Sequence, residues 1–330
     1  MSKYLLAGSS GFLGTALTKD LSADGHEVVR LVRRTPRRPD EIRWDPAAGE
    51  LDPSALDGVD VVINLAGANI GRPWTPTYKA VLRESRVTTT ATLARAIAAR
   101  AATTGGAAGH SAGENSTTDA TSDAGAGGAD QAPKLPAFLV QSGTGAYGKD
   151  RGDEVLTETA TTGDGFLAEL TRLWSGAADP AREAGARVAV LRTAVVLDSQ
   201  GPAFQLLSLP FRLGLGGRLG SGTQYFPVIS LTDWIRAVRF VADHDELSGP
   251  INLGVPNPPT NAELTKSLAS ALHRPSIVPV PAIAMKAIVG EFAWELLGSK
   301  RAEPAALLDA GFTFNDATID SVLAAALQKQ

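Results

Sequence analysis

The chain has 330 residues, 44% of them hydrophobic, with a formal net charge of -4, no cysteine and four histidines. That length and apolar content support a sizeable core in one large or two modest domains, and the charge balance gives no footprint for nucleic acid. Without cysteine there are no disulfides or thiolate chemistry, and the four scattered histidines assemble no metal site.

The first predicted element is a short apolar strand near residues 3–7, running into Gly8-Ser9-Ser10-Gly11-Phe12-Leu13-Gly14 and then a helical pattern over 12–24. Glycine at these three positions lets the chain turn off the strand, lets backbone approach a pyrophosphate and lets the helix pack on the sheet. The N–H groups at the helix start face the phosphates. The stretch therefore reads as a dinucleotide clamp. Because a core strand begins within three residues and no apolar run reaches spanning length, the expected location is cytoplasmic, with no membrane partner.

A second strand, 28–32, ends in Arg33-Arg34, where an NAD-binding chain places a carboxylate for the ribose hydroxyl. Two guanidiniums there favour the 2'-phosphate of NADP(H), and Arg37 and Arg38 read as solvated surface. A third strand, near 60–65, leads through Asn64 and Leu65 into Ala66-Gly67. Small residues at the carboxyl end of a strand leave room for a ligand, so all four are expected to face the cofactor. Arg86, on the following helix at 77–100, is the next candidate cofactor ligand, with a surface ion pair to Glu84 or Asp57 as its plain alternative.

Residues 101–134 contain no Val, Ile, Leu, Met, Phe, Tyr or Trp, cannot offset their ordering entropy by burial, and read as a disordered insertion. Beyond it, the strand at 137–141 opens into Gln141-Ser142-Gly143-Thr144-Gly145-Ala146-Tyr147-Gly148. Ser142 is positioned to meet cofactor and substrate together, and Ser142 and Tyr147 are the expected catalytic pair, a hydroxyl to orient a carbonyl and a phenol to move a proton. A helix near 165–184 and a strand at 187–191, ending in Arg192, complete an alternating pattern. The expected fold is α/β, a doubly wound parallel sheet of Rossmann type over 1–200 with a smaller α/β lobe over 201–330, the two exchanging some chain.

In the lobe, Pro210-Phe211-Arg212-Leu213-Gly214-Leu215-Gly216-Gly217-Arg218 supplies Arg212 and Arg218 as candidate substrate ligands. Asp233 is expected to fix the first turn of a helix. Thr260-Asn261-Ala262-Glu263 has capping-box spacing for a helix ending near His273, and Phe292 and Trp294 read as core.

The motifs at 8–14, Trp44-Asp45-Pro46, 62–67, Ser85-Arg86, 142–148, Leu191-Arg192-Thr193, 210–217 and Ala310-Gly311-Phe312-Thr313-Phe314 together resemble an atypical, epimerase-like subgroup of the extended short-chain dehydrogenase/reductase superfamily. The resemblance implies an NADP-binding Rossmann fold with a C-terminal substrate lobe. It also exposes a departure: Phe166 and Leu170 stand where that superfamily carries its catalytic Tyr-x-x-x-Lys. The expected function is an NADP(H)-dependent oxidoreductase acting on a small carbonyl or sugar-like substrate. Two alternatives are a cofactor-binding sensor without turnover, and a nucleotide-sugar epimerase that needs Tyr147 or Glu169 as its acid or base.

Overall fold

The computed structural model describes residues 1–107 and 134–328. Strand β1 (Lys3–Ala7) is followed by helix α1 (Phe12–Ala23), β2 (Glu27–Val32), β3 (Glu41–Arg43), β4 (Val61–Asn64), α2 (Pro76–Ala107) and β5 (Ala137–Gly143). Next come β6 (Val155–Leu156), α3 (Phe166–Gly176), α4 (Asp179–Glu183), β7 (Val188–Thr193), β8 (Val195–Leu197), α5 (Pro202–Arg212), β9 (Val228–Ser230), α6 (Leu231–Asp243) and β10 (Gly249–Leu253). The chain closes with α7 (Asn261–Ala271), α8 (Ala282–Val289), α9 (Ala293–Leu297), β11 (Arg301–Ala302), α10 (Ala305–Asp309) and α11 (Ile319–Leu327).

Seven strands form one parallel sheet in the order β10-β7-β5-β4-β1-β2-β3. Near-continuous apolar strands require cover on both faces, and the period of two divides their side chains between two cores. Leu6, Ile63, Leu139 and Leu191 meet Leu17, Leu21, Trp234 and Val238 of α1 and α6. Leu5, Val62, Phe138 and Val190 meet Leu93 and Ile97 of α2 and Trp174 of α3. The doubly wound parallel sheet is as the sequence predicts, with the short edge strand β3 and the late strand β10 added.

The lobe has its own core, in which Leu197, Phe204, Phe211, Val228, Leu264 and Leu323 pack together. The chain does not stay in the lobe after residue 200: α6 and β10 return to the large sheet and carry Asn252 to the strand beside Arg192. Helix α2 runs on to Ala107, so residues 101–107 of the expected insertion are helical, and 108–133 lie outside the described residues. The capping box of Thr260 and Glu263 is formed, and His273 takes a left-handed φ of 53° just past the end of α7. Asp233 sits in the first turn of α6, but the cap there is Ser230, whose Oγ accepts from the Asp233 N–H. The buried Asp233 carboxylate accepts from the Asn315 and Asp316 N–H groups, at 3.1 and 2.7 Å, pinning the C-terminal segment. Among the described residues, no helix is long and apolar enough to cross a membrane.

Trp234 is fully buried, and its indole N–H donates to Thr193 Oγ1 at 3.3 Å, fastening α6 to the end of β7. Trp234→Ala is expected to cost about 3–5 kcal/mol in urea unfolding. A loss below about 1 kcal/mol would show that α6 does not share this core.

Candidate functional site

The carboxyl ends of β1, β4, β5 and β7 form one edge, and the loops leaving them build the site. At Gly8, φ is +82°, and a Cβ would lie 2.6 Å from the Leu65 carbonyl carbon. At Gly14 it would lie 2.3 Å from the Gly8 carbonyl oxygen. Both positions admit no side chain, so the motif is a backbone crossing in which the loop at 8–11 lies directly on Leu65-Ala66. Gly11 caps α1 without a side-chain hydrogen bond, and the first turn of α1 carries no acid. The first N–H groups of α1 therefore stay free for an anion.

Asn64 does not face the cleft. It is fully buried; Nδ2 donates to Thr90 Oγ1 at 2.8 Å and Thr89 Oγ1 at 3.3 Å, and Oδ1 accepts from the Ala66 N–H at 3.0 Å. With both polar ends used, it anchors the loop to α2. Arg86 is likewise buried under this loop. Its guanidinium lies against Gly67, donates to the carbonyls of Ala68 at 3.0 Å and Leu82 at 3.2 Å, and stacks over Trp174. Burial pulls its pKa down to about 10. Neither Glu84 nor Asp57 is its partner, since Asp57 pairs with Arg100. Leu65, Ala66 and Gly67 follow β4 at this edge, with the Leu65 and Ala66 N–H groups donating to the Ala7 carbonyl and Asn64 Oδ1.

Arg33 is exposed at the end of β2 with no side-chain partner among the described residues, whereas Arg34 is engaged. Its Nη1 and Nη2 fork onto the Glu41 carboxylate at 2.8 and 2.7 Å, and Glu41 also accepts from the Arg37 N–H at 2.7 Å. These bonds hold the Glu41 carboxyl down to about 2. The paired reading of Arg33 and Arg34 therefore divides: one free guanidinium and one whose hydrogen-bonding edge is taken. Nothing local in the sequence marks Glu41, in the short strand β3, as the partner of Arg34.

At the end of β5, Ser142 is 6% exposed, and its Oγ has no hydrogen-bond partner among the described residues. Tyr147 is a different case. Its ring is fully buried; its hydroxyl accepts from Arg192 Nη1 at 3.0 Å and lies 2.7 Å from Asn252 Oδ1 and 3.0 Å from the Thr157 carbonyl, either of which takes its proton. Burial pushes the phenol above its usual range despite the nearby Arg192. Glu158 accepts from the Asn252 and Ala306 N–H groups and completes this network. Tyr147 is thus a structural phenol, not a proton donor to the cleft, and Arg192 stacks on its ring instead of awaiting an anion.

The helix that would carry an acid/base pair carries an apolar cluster instead, in which Phe166 and Leu170 pack with Leu82, Trp74 and Tyr78. Beside it opens a small pocket lined by Trp74, Lys149, Phe166, Leu167, Glu291 and Trp294. Trp294, expected in the core, is half-buried and walls this pocket, while Phe292 meets Trp74 edge-on. The stem of Lys149 lies across Gly165. Arg212 and Arg218 are exposed elsewhere on the lobe and are not among the residues lining the pocket. Glu169 is exposed in an ion pair with Arg83. Trp74 and Lys149 escaped sequence reasoning because neither lies in a motif.

Comparison with known proteins adds a family to this geometry. Residues 4–164 match the model of the NAD dependent epimerase/dehydratase family, and 280–326 match a domain of unknown function, DUF1731. The chain is 42% identical to Epimerase family protein Mb2239 of Mycobacterium bovis, over 96% of this chain and 95% of that one. It is 33% identical to Epimerase family protein SDR39U1 of Mus musculus, over 95% of each. The solved structure of human epimerase family protein SDR39U1 with NADPH superposes with a TM-score of 0.78 at 30% identity, covering 98% of this chain and 99% of that one.

Two predictions test the geometry. Tyr147→Phe leaves Asn252 and Arg192 short of a partner and is expected to cost about 1–3 kcal/mol in urea unfolding. An unchanged stability would mean that the phenol is not held as described. Glu41 has a folded-state pKa depressed from 4.5 to about 2, so its stabilisation is complete above pH 4.5 and is lost as the pH falls through about 2. The stability difference between wild type and Glu41→Gln should accordingly shrink across that window, and a difference constant down to pH 2 would refute the assignment.

Proposed function

The chain belongs to the NAD dependent epimerase/dehydratase family, and we propose that it is an NADP(H)-dependent oxidoreductase acting on a small carbonyl or sugar-like substrate. The observation that carries the reading is Ser142 Oγ, a buried hydroxyl with no internal partner at the carboxyl end of β5. A buried polar group left unpaired calls for a ligand. The glycine loop fits a dinucleotide: a Cβ at Gly11 would find only the Gly8 carbonyl oxygen, at 3.4 Å, so its outer side is open to a diphosphate at the uncapped start of α1.

Arg33 supplies the free guanidinium for a 2'-phosphate. Arg34, held edge-on by Glu41, contributes charge and a planar face for an adenine. The human relative solved with NADPH supports this choice of cofactor. A nicotinamide bound at this edge supplies or accepts a hydride. Ser142 donates a hydrogen bond to the substrate oxygen, and Lys149, with no ion-pair partner among the described residues, offers an ammonium in the adjoining pocket.

A second reading, a cofactor-binding sensor without turnover, is favoured by one observation: Phe166 and Leu170 lie in an apolar cluster where an acid/base pair would stand. Epimerase chemistry through Tyr147 or Glu169 has no support in their positions.

Titration with NADPH and NADH by fluorescence, followed by absorbance of the reduced cofactor over a carbonyl panel, separates the readings. We expect NADPH to bind more tightly and at least one carbonyl to oxidise it. Arg33→Glu should weaken NADPH about tenfold or more while leaving NADH within about twofold. Ser142→Ala should lower turnover about a hundredfold at unchanged NADPH affinity. Tight binding without turnover by any carbonyl would establish the sensor, and equal loss of both cofactors in Arg33→Glu would remove the 2'-phosphate role.

A further inference from the structure

One face of the C-terminal lobe departs from an ordinary soluble surface. Along α5, Phe204, Ser208 and Phe211 are buried, while the opposite face presents Leu206, Leu209 and Leu213 at helical spacing. With Leu215, these leucines are 51–65% exposed. The 214–220 loop is stitched to residues 278–280 by three backbone hydrogen bonds, from Val278 to Gly216, Val280 to Arg218 and Gly220 to Val280. That seats residues 278–280 against the loop, and Ile277, Val278 and Ile283 around this junction are 78%, 39% and 83% exposed. Monomeric soluble proteins rarely show so many large aliphatics together unless something covers them.

Charge indicates what covers it. Residues 199–232 and 264–290, which include the residues named above, contain no Asp or Glu, and Glu263, just outside them on α7, is engaged with Thr260 in the capping box. They contribute Arg212, Arg218, Lys266 and Arg274, all exposed and none paired with a carboxylate among the described residues. A second copy of the chain is a poor occupant: a two-fold contact would bring together two faces of the same positive sign, with no acid from either segment to offset them. An anionic surface with an apolar interior satisfies both the arginines and the leucines.

We propose that this face docks the protein on anionic membrane. Leu206, Leu209, Leu213, Leu215 and Ile283 enter the boundary between headgroups and acyl chains, and Arg212 and Arg218 meet lipid phosphates. The absence of a spanning segment, which led the sequence to predict no membrane partner, does not bear on such peripheral docking.

The test is co-sedimentation of the full chain with vesicles of phosphatidylcholine alone and of phosphatidylcholine containing one-third phosphatidylglycerol. Binding to the anionic vesicles should exceed binding to the neutral ones by about tenfold and should fall at high salt. Arg212→Glu with Arg218→Glu, and separately Leu209→Ser with Leu213→Ser, should each reduce it about tenfold. These positions are exposed, so the melting temperature should hold, confirming that the variants fold. No binding to either vesicle, or equal binding to both, overturns the proposal. So does a concentration-dependent dimer in sedimentation equilibrium that Leu209→Ser with Leu213→Ser dissolves, which would assign the face to a second copy.

Discussion

The whole edge depends on one crossing of backbones. Residues 8–9, 14 and 65–66 meet with no room for a carbon atom beyond the main chain, a Cβ at Gly8 or Gly14 falling within 2.6 Å of a neighbour. This contact sets the departure of α1 from β1 and places its uncapped start over the ends of β1 and β4. The loop beneath is made rigid from below. Asn64 ties it to Thr89 and Thr90, and Arg86 grips the Ala68 carbonyl from a buried position. Buried polar groups satisfied in this way specify one geometry, because any other would leave them unpaired.

The same economy of polar groups defines the chemistry available. Tyr147, Arg192, Asn252 and Glu158 satisfy one another and join β7 and β10 to the segments around 157 and 306, so they hold the edge together and keep the Tyr147 phenol engaged. Around the pocket, Glu291 pairs with Lys79 and Glu295 with Lys300. Those pairs cancel locally, and Lys149 and Asp164 are the remaining charged residues of the lining. The lining therefore carries no surplus of positive charge, and its aromatic part is two indoles and a phenyl ring. Ser142 Oγ and Gln141 Oε1, near the end of β5, are buried polar atoms that lack a partner among the described residues.

What was legible in the sequence follows the range of the forces involved. The glycine motif, the alternation of strands and helices and the Thr260 capping box are local patterns, and each took the predicted form. Asn64 and Tyr147 misled because their partners are distant: Asn64 meets hydroxyls 25 and 26 residues away, and Tyr147 meets Asn252 105 residues away. A polar residue at a strand end looks the same in sequence whether it faces a ligand or a buried partner. Arg34 was taken by an acid seven residues on, in a strand of three residues too short to announce itself by periodicity. β10 was hidden because it follows a segment whose Pro and Gly content resembles a separate lobe. The helical stretch at 101–107 was hidden because its composition matches the insertion that follows.

The net charge of -4 shows how an average conceals a surface. Over 199–232 and 264–290 the chain carries five Lys and Arg and no acid, so its negative charge lies outside these two stretches. At the ionic strength of a cell, charges act over about 8 Å, so an approaching partner feels the nearest patch and not the total. Arg212 and Arg218 were read from sequence as anion ligands in a glycine-rich loop. The fold preserves the chemistry of that reading and changes its setting, because it turns both arginines outward among exposed leucines and away from the pocket. An anion that meets them there must be extended and apolar behind its charge, properties of a lipid leaflet and not of a small substrate.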